Sequence, residues 1–124
     1  MTDTTNFKNK AQAATDSGLP AEIEEFFSLM DSSDKGRVVE LLTRDAVVED
    51  DGQSYRGRDA IVGWLDGPAS QFTTTSTRLS TERIELLTVV TILLEGNFPG
   101  GRVELRYEFE QSAEGLIKAL SITA

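Results

Sequence analysis

The chain has 124 residues, 12 basic and 21 acidic side chains for a net charge of −9, and neither cysteine nor histidine. That length suits one domain, and the scattered basic residues of an acidic chain do not form the clusters that grip nucleic-acid phosphates. The missing residue types exclude disulfides, thiolate nucleophiles, Ser-His-Asp triads and metals held by Cys or His, so acid–base chemistry must use carboxylates, Lys, Tyr or a bound cofactor.

Residues 1–18 are polar and read as an N-terminal tail or a peripheral helix around Phe7–Ala14; residues 19–124 read as the domain. The N-terminus lacks the basic and apolar regions of a signal peptide. The longest apolar run, Leu86–Leu94, is broken by Thr88 and Thr91 and falls short of the ~20 residues that span a bilayer. A cytoplasmic protein without a membrane partner is the expectation. Leu19-Pro20 opens the first helix, with Pro suited to its start and Glu22, Glu24 and Glu25 near its positive end. Ile23, Phe26, Phe27 and Met30 make one apolar face. Ser32-Ser33-Asp34 ends this helix and caps a second, whose apolar side is Val38, Val39, Leu41 and Leu42.

Ala46–Asp50 reads as a short strand with Ala46, Val48 and Asp50 on one face and Val47 and Glu49 on the other. Asp51-Gly52 is a two-residue turn signal, and Gln53–Arg56 returns as the partner strand. A third helix starts at Gly57 or its neighbour, presents Ile61, Trp64 and Leu65 on one side, and stops at Asp66-Gly67-Pro68. The remainder reads as strands: Thr73–Glu85, Thr88–Glu95, Arg102–Glu110 and Leu116–Thr123, with turns at Asn97–Gly101 and Ser112–Gly115. In Arg102–Glu110 the apolar Val103, Leu105, Tyr107 and Phe109 alternate with charged residues, the pattern of a strand with one buried and one wet face. The order α-α-β-β-α-β-β-β-β predicts an α+β fold with three helices packed on a curved antiparallel sheet. The enclosed cone is a place for a small apolar ligand.

The paired helices, the D-A-V-V-E-D strand, the Y-R-G-R-D-A-I entry into the third helix and the N-F-P-G turn before the charged-alternating strand resemble the NTF2-like superfamily (cystatin-like fold). The likeness is to its SnoaL-like and ketosteroid-isomerase-like branch, and it covers Leu19–Ala124. The resemblance implies a cone-shaped cavity and, in many members, a homodimer formed through the open face of the sheet; here that face carries Arg106 between Glu104 and Glu108. Ketosteroid isomerases place a general-base Asp at the end of this strand, and Asp50 matches it. Their oxyanion hole uses a Tyr of the first helix and a protonated Asp of the penultimate long strand. The Tyr position falls on Phe26, and Val103, Leu105, Tyr107 and Phe109 supply no carboxyl. Loss of one such donor costs on the order of 10²–10³ in rate. Tyr107, or more remotely Tyr55, could stand in as a donor.

Asp50 is therefore the candidate general base, set against the plainer reading of a residue that shapes the turn. Phe26, Phe27, Met30, Trp64, Leu105 and Tyr107 are the candidate pocket walls, set against ordinary core packing. Glu49-Asp50-Asp51 alternate sides along a strand and do not point to a metal site. Gly100-Gly101 lacks the strand-to-helix setting of a phosphate loop, and Thr73–Thr81 reads as an exposed strand face. No metal and no cofactor is expected. Three readings of function stay open: a small domain binding an apolar molecule in its cone, a cofactor-free isomerase, cyclase or dehydratase using Asp50, and a non-catalytic dimerisation module with a filled cone.

Overall fold

The structure is a computed structural model and describes residues 18–124. The tail or peripheral helix expected over residues 1–18 falls, except for Gly18, outside the described residues. Helix α1 spans Ala21–Met30 and α2 spans Arg58–Asp66. The strands are β1 (Leu42–Asp50), β2 (Gln53–Arg56), β3 (Thr74–Ile84), β4 (Leu87–Gly96), β5 (Arg102–Gln111) and β6 (Ile117–Thr123).

Pro20 sets the entry to α1, its carbonyl accepting from the amides of Ile23 and Glu24 at 3.1 and 3.0 Å. Glu22 and Glu24 occupy the first turn, where the helix dipole favours carboxylates. Ile23, Phe26 and Leu29 are buried, and Phe27 and Met30 flank them half-buried. The second helix, Lys35–Leu41, is a 3-10 helix rather than an α-helix. Gly36 and the β-branched pair Val38-Val39 are weak helix formers, and a segment this short takes the tighter i→i+3 bonding readily. Leu42, expected on that helix, instead opens β1.

Asp51 and Gly52 have φ of 53° and 76°, the two left-handed residues of the turn whose twist matches a hairpin. Gly57, at φ 85°, redirects the chain from β2 into α2, a conformation that suits glycine. The same corner steadies an irregular part of β1. The Gly57 amide donates to the Ala46 carbonyl at 2.8 Å, and the Arg58 guanidinium donates to the Leu42 carbonyl at 2.7 Å. These bonds satisfy two backbone carbonyls of the segment where the β1–β6 register shifts, between Leu42 and Val47.

The six strands form one sheet in the order β2-β1-β6-β5-β4-β3. The sheet is mixed, which corrects the expectation of a wholly antiparallel one: β1 and β6 are parallel, and every other neighbouring pair is antiparallel. A parallel pair needs a long crossover, and here it includes β2, α2 and three further strands. Residue patterning marks each strand but does not say which neighbour it will meet. Helix residues Ile23, Phe26, Leu29, Val38, Ile61, Trp64 and Leu65 pack in one core with Ala46 and Val48 of β1, Val90 and Ile92 of β4, Phe109 of β5 and Ile117, Leu120 and Ile122 of β6. Three helices thus cover one face of the sheet. On β5 the opposite face carries the charged residues, where Arg106 Nε donates to Glu108 Oε2 at 2.8 Å. Among the described residues no helix is long and apolar enough to cross a membrane.

One core position works against the rest. Thr88 of β4 is buried, and among the described residues its hydroxyl meets no hydrogen-bonding partner. Leaving such a group buried costs about 1–3 kcal/mol, so Thr88→Val should raise stability by about 1 kcal/mol in urea denaturation. A loss of stability would show that the hydroxyl is bonded in solution.

Candidate functional site

Alternation along β1 turns Ala46 and Val48 into the core and sets half-buried Asp50 on the same side at the strand's end. The hairpin and the Gly57 corner then bring α2 back over that end. Trp64, only 1% exposed, donates its indole Nε1–H to Asp50 Oδ2 at 3.0 Å. The neighbouring carboxylates diverge: Glu49 Oε2 accepts from Ser54 Oγ at 3.3 Å on the opposite face, and Asp51 stands in the turn. Among the described residues no group of three or more metal-ligating side chains comes together.

Asp50 and Trp64 border a cavity of about 770 Å³, together with Met30, Leu105 and Tyr107. Five of the candidate residues therefore meet around one space. Phe26 and Phe27 do not line it. Phe26 is fully buried, edge-on to Phe109 at 5.2 Å and to Tyr107 at 6.4 Å between ring centroids. Phe27 borders a smaller cavity of about 350 Å³ beside Leu19, Arg78 and Ile92. Tyr55 is outside the larger cavity, its ring 6.4 Å from that of Trp64.

Tyr107 projects from β5 into the aromatic group and the cavity wall. Burial, then the nearby charge of Asp50 and that of Asp31, push its hydroxyl up to about 12. The cause is common to all three: the phenolate would add a negative charge in a place already dry and already negative. Tyr107 therefore remains a neutral phenol at physiological pH, able to donate or accept a hydrogen bond.

Several cavity residues were not among the candidates. Asp31, Lys35 and Asp51 border it, as do Phe72 and Phe98. Asp31 had a detectable signal: it caps the C-terminal end of α1, where the dipole disfavours a carboxylate, and the last turn holds no basic residue to compensate. A local electrostatic conflict of this kind often marks a functional position. Phe72 and Phe98 stand on separate loops with ring centroids 6.0 Å apart. The loops are joined by the Thr73 amide donating to Asn97 Oδ1 at 2.9 Å and the Asn97 amide donating to the Thr73 carbonyl at 3.2 Å. No periodicity in the sequence pairs those two loops.

Residues 23–113 match the SnoaL-like domain family. The chain belongs to the SnoaL-like domain family. Among solved structures it is similar to a Sinorhizobium meliloti protein provisionally named a polyketide cyclase, with 28% identity, 85% of this chain and 95% of that chain covered, and a TM-score of 0.79. It is also similar to the Δ5-3-ketosteroid isomerase of a Mycobacterium species, at 23% identity over 84% of this chain and 90% of that one, TM-score 0.71. A Mycobacterium tuberculosis protein in complex with estradiol-17β-hemisuccinate shares 17% identity over 83% of this chain and 90% of that one, TM-score 0.70. The two mycobacterial likenesses show the fold. A search of curated proteins by sequence finds no match.

The Tyr107 environment has a direct consequence in alkali. Its folded value, about 12, lies above the ordinary tyrosine value near 10, so its contribution to stability is complete below about pH 10 and is lost as pH rises through 12. An alkaline absorbance titration should therefore show a tyrosine ionisation near 12, and Asp50→Asn should lower it. The absence of any tyrosine ionisation above the ordinary value near 10 would contradict the placement of Tyr107.

Proposed function

We propose that this SnoaL-like domain binds a small, mainly apolar molecule in the larger cavity, with the molecule's polar end at Asp50 and Tyr107. The observation that supports it most is the cavity itself: about 770 Å³, with apolar walls at Met30, Leu105 and Ile122 and polar groups that include Asp50 and Tyr107. Volumes of this size suit small-molecule sites, where a few polar groups orient a mostly apolar ligand. A space this large also argues against a dimerisation module whose cone is packed shut. The similar Mycobacterium tuberculosis protein, which binds a steroid ester in its own structure, offers a precedent on the same fold.

A second reading has one specific observation in its favour. Asp50 is held at a fixed position by Trp64 while its cavity side stays available, the arrangement needed for a base that shuttles a proton between two carbons. Tyr107 would then offer its neutral hydroxyl to a developing enolate. The missing family donors at Phe26 and Leu105 make this the weaker of the two, because stabilising the oxyanion commonly supplies the largest share of such catalysis.

Neutral polycyclic ketones and alcohols should raise the melting temperature of the chain, by the equivalent of about 2.7 kcal/mol at 100 times the dissociation constant. Leu105→Trp, which fills the cavity wall, should abolish the rise. A panel with no stabilising member would overturn the binding reading. For the catalytic reading, conversion of a β,γ-unsaturated ketosteroid to its conjugated isomer should vanish in Asp50→Asn; turnover unaffected by that substitution would remove Asp50 from the chemistry.

A further inference from the structure

The cavity carries an imbalance of charge that a purely apolar ligand would leave uncompensated. Asp31, Asp50 and Asp51 border it, against one basic side chain among the described residues, Lys35. Helix α1 adds to the same sign. It ends at Met30 with Asp31 as its cap and no basic residue in the last turn, so the negative end of the dipole and a carboxylate meet at the cavity wall. Both fields reach inside, since Asp50 and Asp31 act together on the Tyr107 hydroxyl. The whole chain, at −9, reinforces that potential, and clefts of one sign concentrate ligands of the other. Around these charges stand the aromatic side chains of Trp64, Tyr107, Phe72 and Phe98, groups whose ring faces attract cations as well as hydrocarbon.

We propose that the preferred ligand is a protonated amine carried on an apolar body, its ammonium group near Asp50 and Asp31 and its hydrocarbon part between Trp64, Leu105 and the Phe72–Phe98 pair. This rests on the binding reading above and narrows it to a charge class. A neutral hydroxyl replaces one of the water hydrogen bonds that it strips from the carboxylates and brings no compensating charge. An anion adds repulsion. An ammonium group supplies up to three N–H donors and a compensating charge, and the neutral Tyr107 oxygen can accept one of those donors. Lys35 leaves room for one such cation, because three carboxylates against one ammonium still leave the lining net negative.

Three probes with one cage and different charge separate these cases: 1-adamantanamine, 1-adamantanol and adamantane-1-carboxylate at neutral pH. None absorbs where tryptophan does, so the fluorescence of Trp64, the sole tryptophan, reports binding at the site. The amine should bind about ten-fold more tightly than the alcohol, a step of about 1.4 kcal/mol, and the carboxylate more weakly than the alcohol. In the Asp31→Asn, Asp50→Asn double variant the amine's advantage should shrink to less than about two-fold. If that variant does not fold, the exposed Asp31→Asn alone should still reduce the ratio. An alcohol or carboxylate that binds as tightly as the amine overturns the charge class and leaves the binding reading standing. An amine preference untouched by removing these carboxylates also overturns it. Absence of binding by all three probes, in fluorescence and in calorimetry, overturns both readings together.

Discussion

The hydrogen bond from the Trp64 indole to the Asp50 carboxylate is the contact on which the site depends. It ties the end of β1 to the buried side of α2, and each local feature between them serves it. Side-chain alternation turns Asp50 inward, Asp51-Gly52 reverses the chain in two residues, and Gly57 adopts the left-handed conformation that starts α2 in the right direction. An indole N–H buried without an acceptor would cost about 1–3 kcal/mol, so Asp50 stabilises Trp64 as much as Trp64 positions Asp50. A carboxylate has about four acceptor sites, and one bond from Trp64 leaves capacity for a ligand in the cavity.

What surrounds that pair decides which chemistry is open to it. Tyr107 supplies a phenol kept neutral by burial and by the carboxylates near it. Leu105 supplies only hydrocarbon to the cavity wall, and Phe26 stays in the core. The chain thus shares with its relatives a fold, and sets one carboxylate of its own, Asp50, at the cavity wall. Fold membership alone would not separate these possibilities, because one fold can host unrelated activities. The acidic lining, set at the negative end of α1, is a property of this chain's own residues that the fold does not dictate.

Much of the architecture was legible in the residues. The β3 to β6 boundaries follow their β-branched and alternating patterns, and the Asp51-Gly52 turn and Gly57 corner follow from residues that tolerate positive φ. The face that Asp50 shares with Ala46 and Val48 follows from period-two alternation. Partnership was less legible. The parallel pairing of β1 with β6 depends on how the later strands return across the sheet, and nothing in either strand encodes it. The tight 3-10 form of Lys35–Leu41 depends on Gly36 and two adjacent valines in a segment too short to override them. The Trp64–Asp50 contact could be placed on compatible faces but not in contact, since the angle of α2 over the sheet is a tertiary property. Phe72 and Phe98 meet through two loops far apart in the chain, and no local pattern could pair them.

The most direct measurement is the indole N–H resonance of Trp64, a single signal because the chain has one tryptophan. The account predicts that Asp50→Ala shifts this resonance strongly, and that a saturating apolar ligand moves it together with the methyl resonances of Leu105 and Ile122. A ligand that perturbs residues around Phe27 and Arg78 while leaving the Trp64 indole in place would contradict it, moving binding to the smaller cavity and leaving the Trp64–Asp50 bond as structure alone.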